Sequence, residues 1–119
     1  MTDTLFKFPD LNSTPIEGHL DGWTSIEGKP AAQMQTWIQH TSKDESVISG
    51  VWKSTTGFYH ATYDAYEFVH LIEGSCTITP DGGESQSFHA GDAFVVEADF
   101  VGVWEVTAPI KKHFVVKLK

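Results

Sequence analysis

The chain has 119 residues, 40% of them hydrophobic, which is enough for the core of one domain but not of two. Its formal net charge is -8, it contains no arginine, and no lysine lies between Lys53 and Lys111, so the clustered basic residues that bind nucleic acid phosphates are absent. The single cysteine, Cys76, excludes an internal disulfide, and no leader-like or long apolar segment is present. We therefore expect a cytosolic protein that binds neither nucleic acid nor membrane.

Residues 1–45 are rich in turn-forming residues and show little periodicity apart from residues 34–39. We expect an arm with one or two short strands, part of the same domain, which packs across the rest of the chain or onto a partner subunit. Leu5, Phe6, Phe8 and Leu11 are apolar residues of this arm, and their exposure would favour a homodimer.

Residues 46–119 contain short runs rich in β-branched and aromatic residues, which predict strands. The predicted strands are 47–53, 58–63, 66–72, 75–79, 85–88, 93–97, 101–107 and 113–118. Gly, Pro or Asp turns separate many of them, and Pro80-Asp81-Gly82-Gly83 is the clearest hairpin turn. No stretch has helical periodicity, so the sequence predicts an all-β barrel.

Alternation of side chains along the predicted strands selects a candidate site. If Glu67 faces the interior, Val69 does so too, while His60 shares a face with Thr62, and Gly102 with Trp104. We expect these faces to meet inside the barrel as a pocket of Glu67, His60, Thr62, Val69, Gly102 and Trp104.

Glu67 has the strongest chemical case among these residues, because a carboxylate buried in a barrel is costly unless a partner compensates it. The chain has no arginine, and no lysine lies near Glu67 in sequence. The expected partners are His60, a metal ion, hydroxyls such as those of Thr62 or Tyr63, water or a cationic ligand. Glu67 and His60 are therefore predicted as catalytic residues or as metal ligands. A basic side chain beside Glu67 would remove this reason for expecting chemistry there.

Several short motifs follow one another in a familiar order: Gly50-Val51-Trp52, Gly57, Glu67 to Gly74, Gly91-Asp92, Gly102-Val103-Trp104 and Lys112-His113-Phe114. Through them, residues 46–116 resemble the cupin superfamily, and within it the small single-domain cupins of the (S)-ureidoglycine aminohydrolase-like and EutQ-like (DUF861) group. The resemblance implies a double-stranded β-helix, or jelly-roll, barrel that is commonly dimeric and holds a small-molecule pocket.

The same resemblance places the family's metal ligands on this chain. Its first motif, G-x5-H-x-H-x3,4-E-x6-G, falls on His60, Thr62 and Glu67, and its second motif puts Gly102 where the family has a histidine. At best two of four ligands remain, His60 and Glu67, whereas a mononuclear catalytic site generally uses three protein ligands. A divalent metal such as Mn, Zn, Fe or Ni is therefore implied only as a weak or incomplete cofactor.

Three functions stay open at this point. The first is a cupin that binds, and as an enzyme converts, a small polar or nitrogenous metabolite, with Glu67 as general base and His60 sharing the proton. The second is a metal-dependent aminohydrolase of the ureidoglycine type, and the third is a non-catalytic dimeric accessory protein. The acidic composition without arginine favours a cation, an amine or a neutral polar molecule as ligand.

Overall fold

The computed structural model describes residues 4–18, 20 and 22–118, and in them the chain forms nine β-strands. They are β1 (Ile16–Glu17), β2 (Trp23–Thr24), β3 (Met34–Thr41), β4 (Val47–Ser54), β5 (Gly57–Thr62), β6 (Tyr66–Pro80), β7 (Gln86–His89), β8 (Ala93–Val96) and β9 (Val101–Lys117). Nowhere in these ranges is there a helix of the length and apolarity needed to cross a membrane. The all-β prediction is confirmed.

The long strand β9 organises the sheet. Its second half lies between β4 and the first half of β6, and its first half lies between β5 and the second half of β6, with every pairing antiparallel. The strand order is β1-β3-β4-β9-β5-β2, and the other edge of β6 pairs with β7 and β8. The two long strands, β6 and β9, therefore each take part in both halves of the barrel.

Strands β6 and β9 are each continuous where the sequence predicts two strands. They pair with each other over most of their length, and the register shifts three times between Leu71 and Cys76. These shifts are β-bulges, which bend a strand without ending it. Gly74 lies within the bent segment with a φ of 88°, so the turn signal in the sequence marks a bend and not a break.

The residues before position 46 contribute more to the sheet than the expected one or two short strands. Strand β3 is eight residues long and pairs with β4 throughout, with a bulge between Ile38 and His40. Strand β1 pairs with β3, and β2 pairs with β5. The sequence understated this region because β1 and β2 are only two residues long and leave no periodic pattern.

The arm runs along the outside of β3. The backbone carbonyls of Pro9 and Ser13 accept hydrogen bonds from side chains of that strand, and the rings of Phe6 and Phe8 pack against histidine rings of the sheet. Leu5 is 91% exposed and Phe6 is 52% exposed. The arm thus has the apolar surface that the sequence indicates, and the homodimer stays a prediction.

Gly74 provides a test of the bend in β6. A Cβ at this position would overlap the carbonyl oxygen of Pro109, whereas a Cβ at Gly82, whose φ is also positive at 74°, would meet nothing within 4 Å. We expect Gly74→Ala to lower the free energy of unfolding by about 3 kcal/mol and Gly82→Ala by about 1 kcal/mol. Urea denaturation of the two variants checks this, and equal costs would show that the close approach to Pro109 is not maintained.

Candidate ligand-binding site

Strands β6 and β9 place four of the six expected pocket residues in the interior. Glu67 and Val69 are buried, and Phe68 between them is exposed. On β9, Gly102 and Trp104 are buried in the same alternation. A Cβ at Gly102 would overlap the carbonyl oxygen of Thr79, so this glycine allows the close contact between β6 and β9. No open space for a ligand lies at this position.

On β5 the expected alternation is wrong by one residue. Tyr59 and Ala61 are fully buried, whereas Thr62 is exposed and the side chain of His60 is 34% exposed. The reason is the register with β9, in which Tyr59 lies directly opposite the inward-facing Trp104. His60 and Thr62 therefore point away from the interior.

His60 has a partner on the surface instead of Glu67. Its Nε2 lies 3.0 Å from Oδ2 of Asp81, in the turn that follows β6. His60 therefore cannot share a proton or a metal ion with Glu67 in this structure, which corrects the predicted pairing of the two residues as catalytic groups and as metal ligands.

Glu67 has a basic neighbour, Lys112. The ammonium Nζ lies 2.9 Å from Oε2 of Glu67, and the two side chains are 1% and 7% exposed. The expectation of an unneutralised carboxylate is wrong because β6 and β9 are adjacent strands. Glu67 lies opposite Val116, and Lys112 is four residues before Val116 on β9. An unpaired buried carboxylate therefore gives no reason to expect chemistry here.

Tyr63 holds the other oxygen of the carboxylate. Its hydroxyl donates a hydrogen bond of 2.8 Å to Oε1 of Glu67. Burial, and after it the nearby carboxylate, raises the pKa of Tyr63 well above its ordinary value, so the phenol keeps its proton at neutral pH. Each oxygen of Glu67 thus accepts one hydrogen bond from a buried donor.

Three indole rings surround the ammonium of Lys112. The Nζ atom lies 4.4 Å from the ring centroid of Trp52, 4.8 Å from that of Trp104 and 5.9 Å from that of Trp23. Trp52 is the residue directly opposite Lys112 in the pairing of β4 with β9. Attraction between the cation and the ring faces compensates part of the hydration that a buried ammonium loses.

Two small cavities border this ion pair, with volumes of about 100 Å³ and about 130 Å³. Leu20, Trp23, Glu67 and Val116 line both of them. Lys112 lines the first cavity only. The second reaches Thr62, so this residue lies at the rim of a cavity although it does not face the interior.

Larger clefts lie away from the ion pair. One of about 400 Å³ includes exposed Thr55 and Glu73, and its charged residues are exposed or half-buried. Another, of about 330 Å³, lies beside the stacked rings of Phe88 and Phe94. Neither encloses a charged pair, so we take the two small cavities as the candidate site despite their size.

Four buried polar atoms have no hydrogen-bond partner among the residues that the structure describes: Thr36 Oγ1, Trp52 Nε1, Tyr59 Oη and Trp104 Nε1. Two of these residues, Thr36 and Trp52, line the cavity that contains Lys112. Buried polar groups in folded proteins are nearly always paired with protein or water, so an exception calls for an explanation.

The surroundings of Glu67 do not fit a divalent metal ion. Both carboxylate oxygens are already bound, one of them to an ammonium whose charge would repel a metal. The inward positions of β5 hold Tyr59 and Ala61 and supply no imidazole. Within residues 4–18, 20 and 22–118, no group of three or more His, Cys, Asp or Glu side chains could hold a metal ion.

The sequence held two signals for this arrangement. The first motif also allows three residues before its glutamate, and that spacing places its two ligand positions on Ala61 and Tyr63, which face inward. Lys112 alternates with the buried apolar residues Ile110 and Phe114, and a lysine at an inward position of a strand is unusual. Neither signal depends on closeness in sequence to Glu67.

Comparison with known proteins supports the fold. The family model described as the EutQ-like cupin domain matches residues 41–114. The structure of EutQ from Clostridium difficile has 18% identity and a TM-score of 0.65, over 75% of this chain and 71% of that one. A putative ethanolamine utilization protein Q from Salmonella typhimurium LT2 has 20% identity and a TM-score of 0.65, over 85% and 77%.

A DUF861 family protein from Thermotoga maritima has 23% identity and a TM-score of 0.53, over 54% of this chain and 73% of that one. No curated protein matches the sequence. At these identities the solved structures show the fold alone, and the jelly-roll barrel expected from the resemblance is confirmed.

The Glu67–Lys112 pair predicts strong coupling. Glu67→Gln leaves a buried ammonium without its counter-charge, so we expect it to lower the free energy of unfolding by about 3–5 kcal/mol, and Lys112→Met to cost a similar amount. The double variant should cost much less than the sum of the two, because it leaves no uncompensated charge. Urea denaturation of the four proteins at neutral pH measures the coupling.

The exposed pair of His60 and Asp81 is the matched control, and its coupling in the variants His60→Gln and Asp81→Asn should stay below about 1 kcal/mol. A neutral or stabilising Glu67→Gln, as expected for an unpaired carboxylate, would contradict the buried pair.

Proposed function

The chain belongs to the EutQ-like cupin family, and we propose that it binds a small organic molecule inside the barrel, beside the Glu67–Lys112 ion pair. The observation that carries this proposal is the position of the pair: it is buried, and it forms part of the wall of a cavity.

A buried ion pair is a poor way to stabilise a core. Replacement of such a pair by apolar residues of similar volume is often neutral or stabilising, because desolvation of the two charges offsets their attraction. On β9, the inward neighbours Ile110 and Phe114 are apolar, so an apolar residue at position 112 would continue the pattern. The presence of charge at this place therefore supports a role in binding.

The size of the cavities limits the ligand. Their volumes of about 100 and 130 Å³ lie below the ~300–1,000 Å³ that is typical for pockets holding drug-sized molecules. At ~10–15 Å³ for each water-sized group, the cavity of about 100 Å³ that contains Lys112 has room for about seven to ten such groups. A metabolite of this size fits, and a nucleotide does not.

The pair offers a fixed acceptor and a fixed donor. Tyr63 and Lys112 hold the carboxylate of Glu67 from both sides before any ligand enters, which reduces the cost of ordering the site on binding. Lys112 takes the place of His60 as the group that shares a proton with Glu67. If the ligand is converted, proton transfer to Glu67 is the chemistry that this pair supplies.

Neither of the other two readings has equal support. A metal-dependent aminohydrolase would need ligands that the described residues around Glu67 do not provide. A dimeric accessory protein is favoured by the exposed Leu5 and Phe6 of the arm. A homodimer is compatible with a ligand in each barrel, and we keep it as part of the proposal. We also propose a cytosolic location, to which the buried free thiol of Cys76 is suited.

A ligand-observed NMR screen of small metabolites tests the proposal. Val116 lines both cavities, so we expect Val116→Phe to fill them and to weaken any specific hit by at least about tenfold. Phe88 lines the separate cleft and neither of the two small cavities, so Phe88→Leu serves as the matched control and should leave the hits unchanged. Both variants are first checked for an unchanged thermal transition. Hits that survive Val116→Phe, or a screen without any hit, would contradict a ligand site in the barrel.

A further inference from the structure

Two residues that line the cavity beside Lys112 carry buried polar atoms without a hydrogen-bond partner among the described residues. Trp52 is 1% exposed, and its indole N–H, which can only donate, has no partner among the described residues. The hydroxyl of Thr36, a residue that is 4% exposed, is also unpartnered. Both residues line this cavity. A buried donor without an acceptor costs about 1–3 kcal/mol, so a ligand that supplies an acceptor would recover this cost.

Each carboxylate oxygen of Glu67 already accepts one hydrogen bond from the protein. Glu67 receives the hydroxyl of Tyr63 at one oxygen and the ammonium of Lys112 at the other. The ammonium has three N–H groups and makes one hydrogen bond within the described part of the chain, while it faces the ring of Trp52 at 4.4 Å. The ammonium therefore keeps N–H groups for an acceptor on a ligand, in addition to the indole N–H of Trp52.

The formal charges of the site also balance. Glu67 and Lys112 cancel, and the cavity wall continues with the apolar residues Leu20, Ile48 and Val116. An anionic ligand would enter without a counter-ion, and a protonated amine would lie against the ammonium of Lys112, so either would carry an uncompensated buried charge. The acidic composition of the whole chain, which favoured a cation or an amine, describes the surface and not this cavity.

We infer that the ligand is a small neutral molecule with an apolar body and a carbonyl-type acceptor, such as a ketone, an aldehyde or an ester, whose oxygen accepts a hydrogen bond from the Trp52 indole. This inference rests on the proposed function, since it names the class of ligand for the same cavity. The apolar body packs against Leu20, Ile48 and Val116, and the oxygen supplies the acceptor that the Trp52 indole lacks.

Four probes that share a six-membered ring separate the possibilities. Cyclohexanone carries the acceptor, methylenecyclohexane is its apolar isostere, cyclohexylamine is cationic at neutral pH, and cyclohexanecarboxylate is anionic. Each is titrated into ¹⁵N-labelled protein, and the indole N–H signals of the four tryptophans are followed. We expect cyclohexanone to move the Trp52 signal and to bind at least about tenfold more tightly than each of the other three.

Two substitutions locate the hydrogen bond. Trp52→Phe keeps an aromatic ring and removes the N–H, so we expect about a five- to tenfold loss of cyclohexanone affinity and no loss for methylenecyclohexane. Trp37→Phe is the control, because the Trp37 indole already donates to the carbonyl of Ser13. Should Trp52→Phe fail to fold, Thr36→Val gives a second test of cyclohexanone affinity from the same wall.

The failures of the inference and of the proposed function can be told apart. Equal or tighter binding of the hydrocarbon, the amine or the carboxylate at the Trp52 signal would overturn the neutral-acceptor inference and leave a ligand site in the barrel. If none of the four probes moves the Trp52 signal, the neutral-acceptor inference falls, and the proposed function falls with it when the metabolite screen also gives no hit that Val116→Phe weakens.

Discussion

The ion pair between Glu67 and Lys112 is the interaction on which the interior of this barrel depends. Strands β6 and β9 bring the two residues together across 45 positions of sequence. Tyr63 donates a hydrogen bond to the carboxylate, and three indole rings surround the ammonium. Tryptophan side chains fill the cores of small barrels in general, but here they also contact a buried ammonium. They compensate a charge that has lost its water, so the position of the lysine sets the arrangement of the surrounding core.

The same pair decides what the site can hold. The ammonium of Lys112 occupies a carboxylate oxygen that a metal ion would need as a ligand. The inward positions of β5 hold a phenol and a methyl group, and not the imidazoles that would complete a metal site. Charge balance then favours a neutral ligand, and the unpartnered donors of Trp52 and Thr36 favour one that accepts hydrogen bonds. The lack of fit for a metal and the proposed ligand class thus both follow from one buried contact.

Sequence reasoning could predict the strands and the inward faces of β6 and β9, because turns and two-residue alternation are local signals. It failed on β5, because alternation alone groups residues by face and does not say which of the two faces points inward. It also failed on Lys112, because contact between β6 and β9 is a property of the topology and not of sequence separation. The cavities could not be predicted either, because Leu20 and Trp23, which line both of them, come from a part of the chain without a periodic pattern.

The buried ion pair is best tested by a high-resolution crystal structure of the untagged protein, grown with a divalent metal present and measured at the absorption edge of that metal. We expect Lys112 Nζ to lie within hydrogen-bond distance of Glu67 and no anomalous peak to lie beside this carboxylate. A metal ion bound to Glu67, with the lysine side chain displaced from it, would show that the ion pair is not the native state of the site.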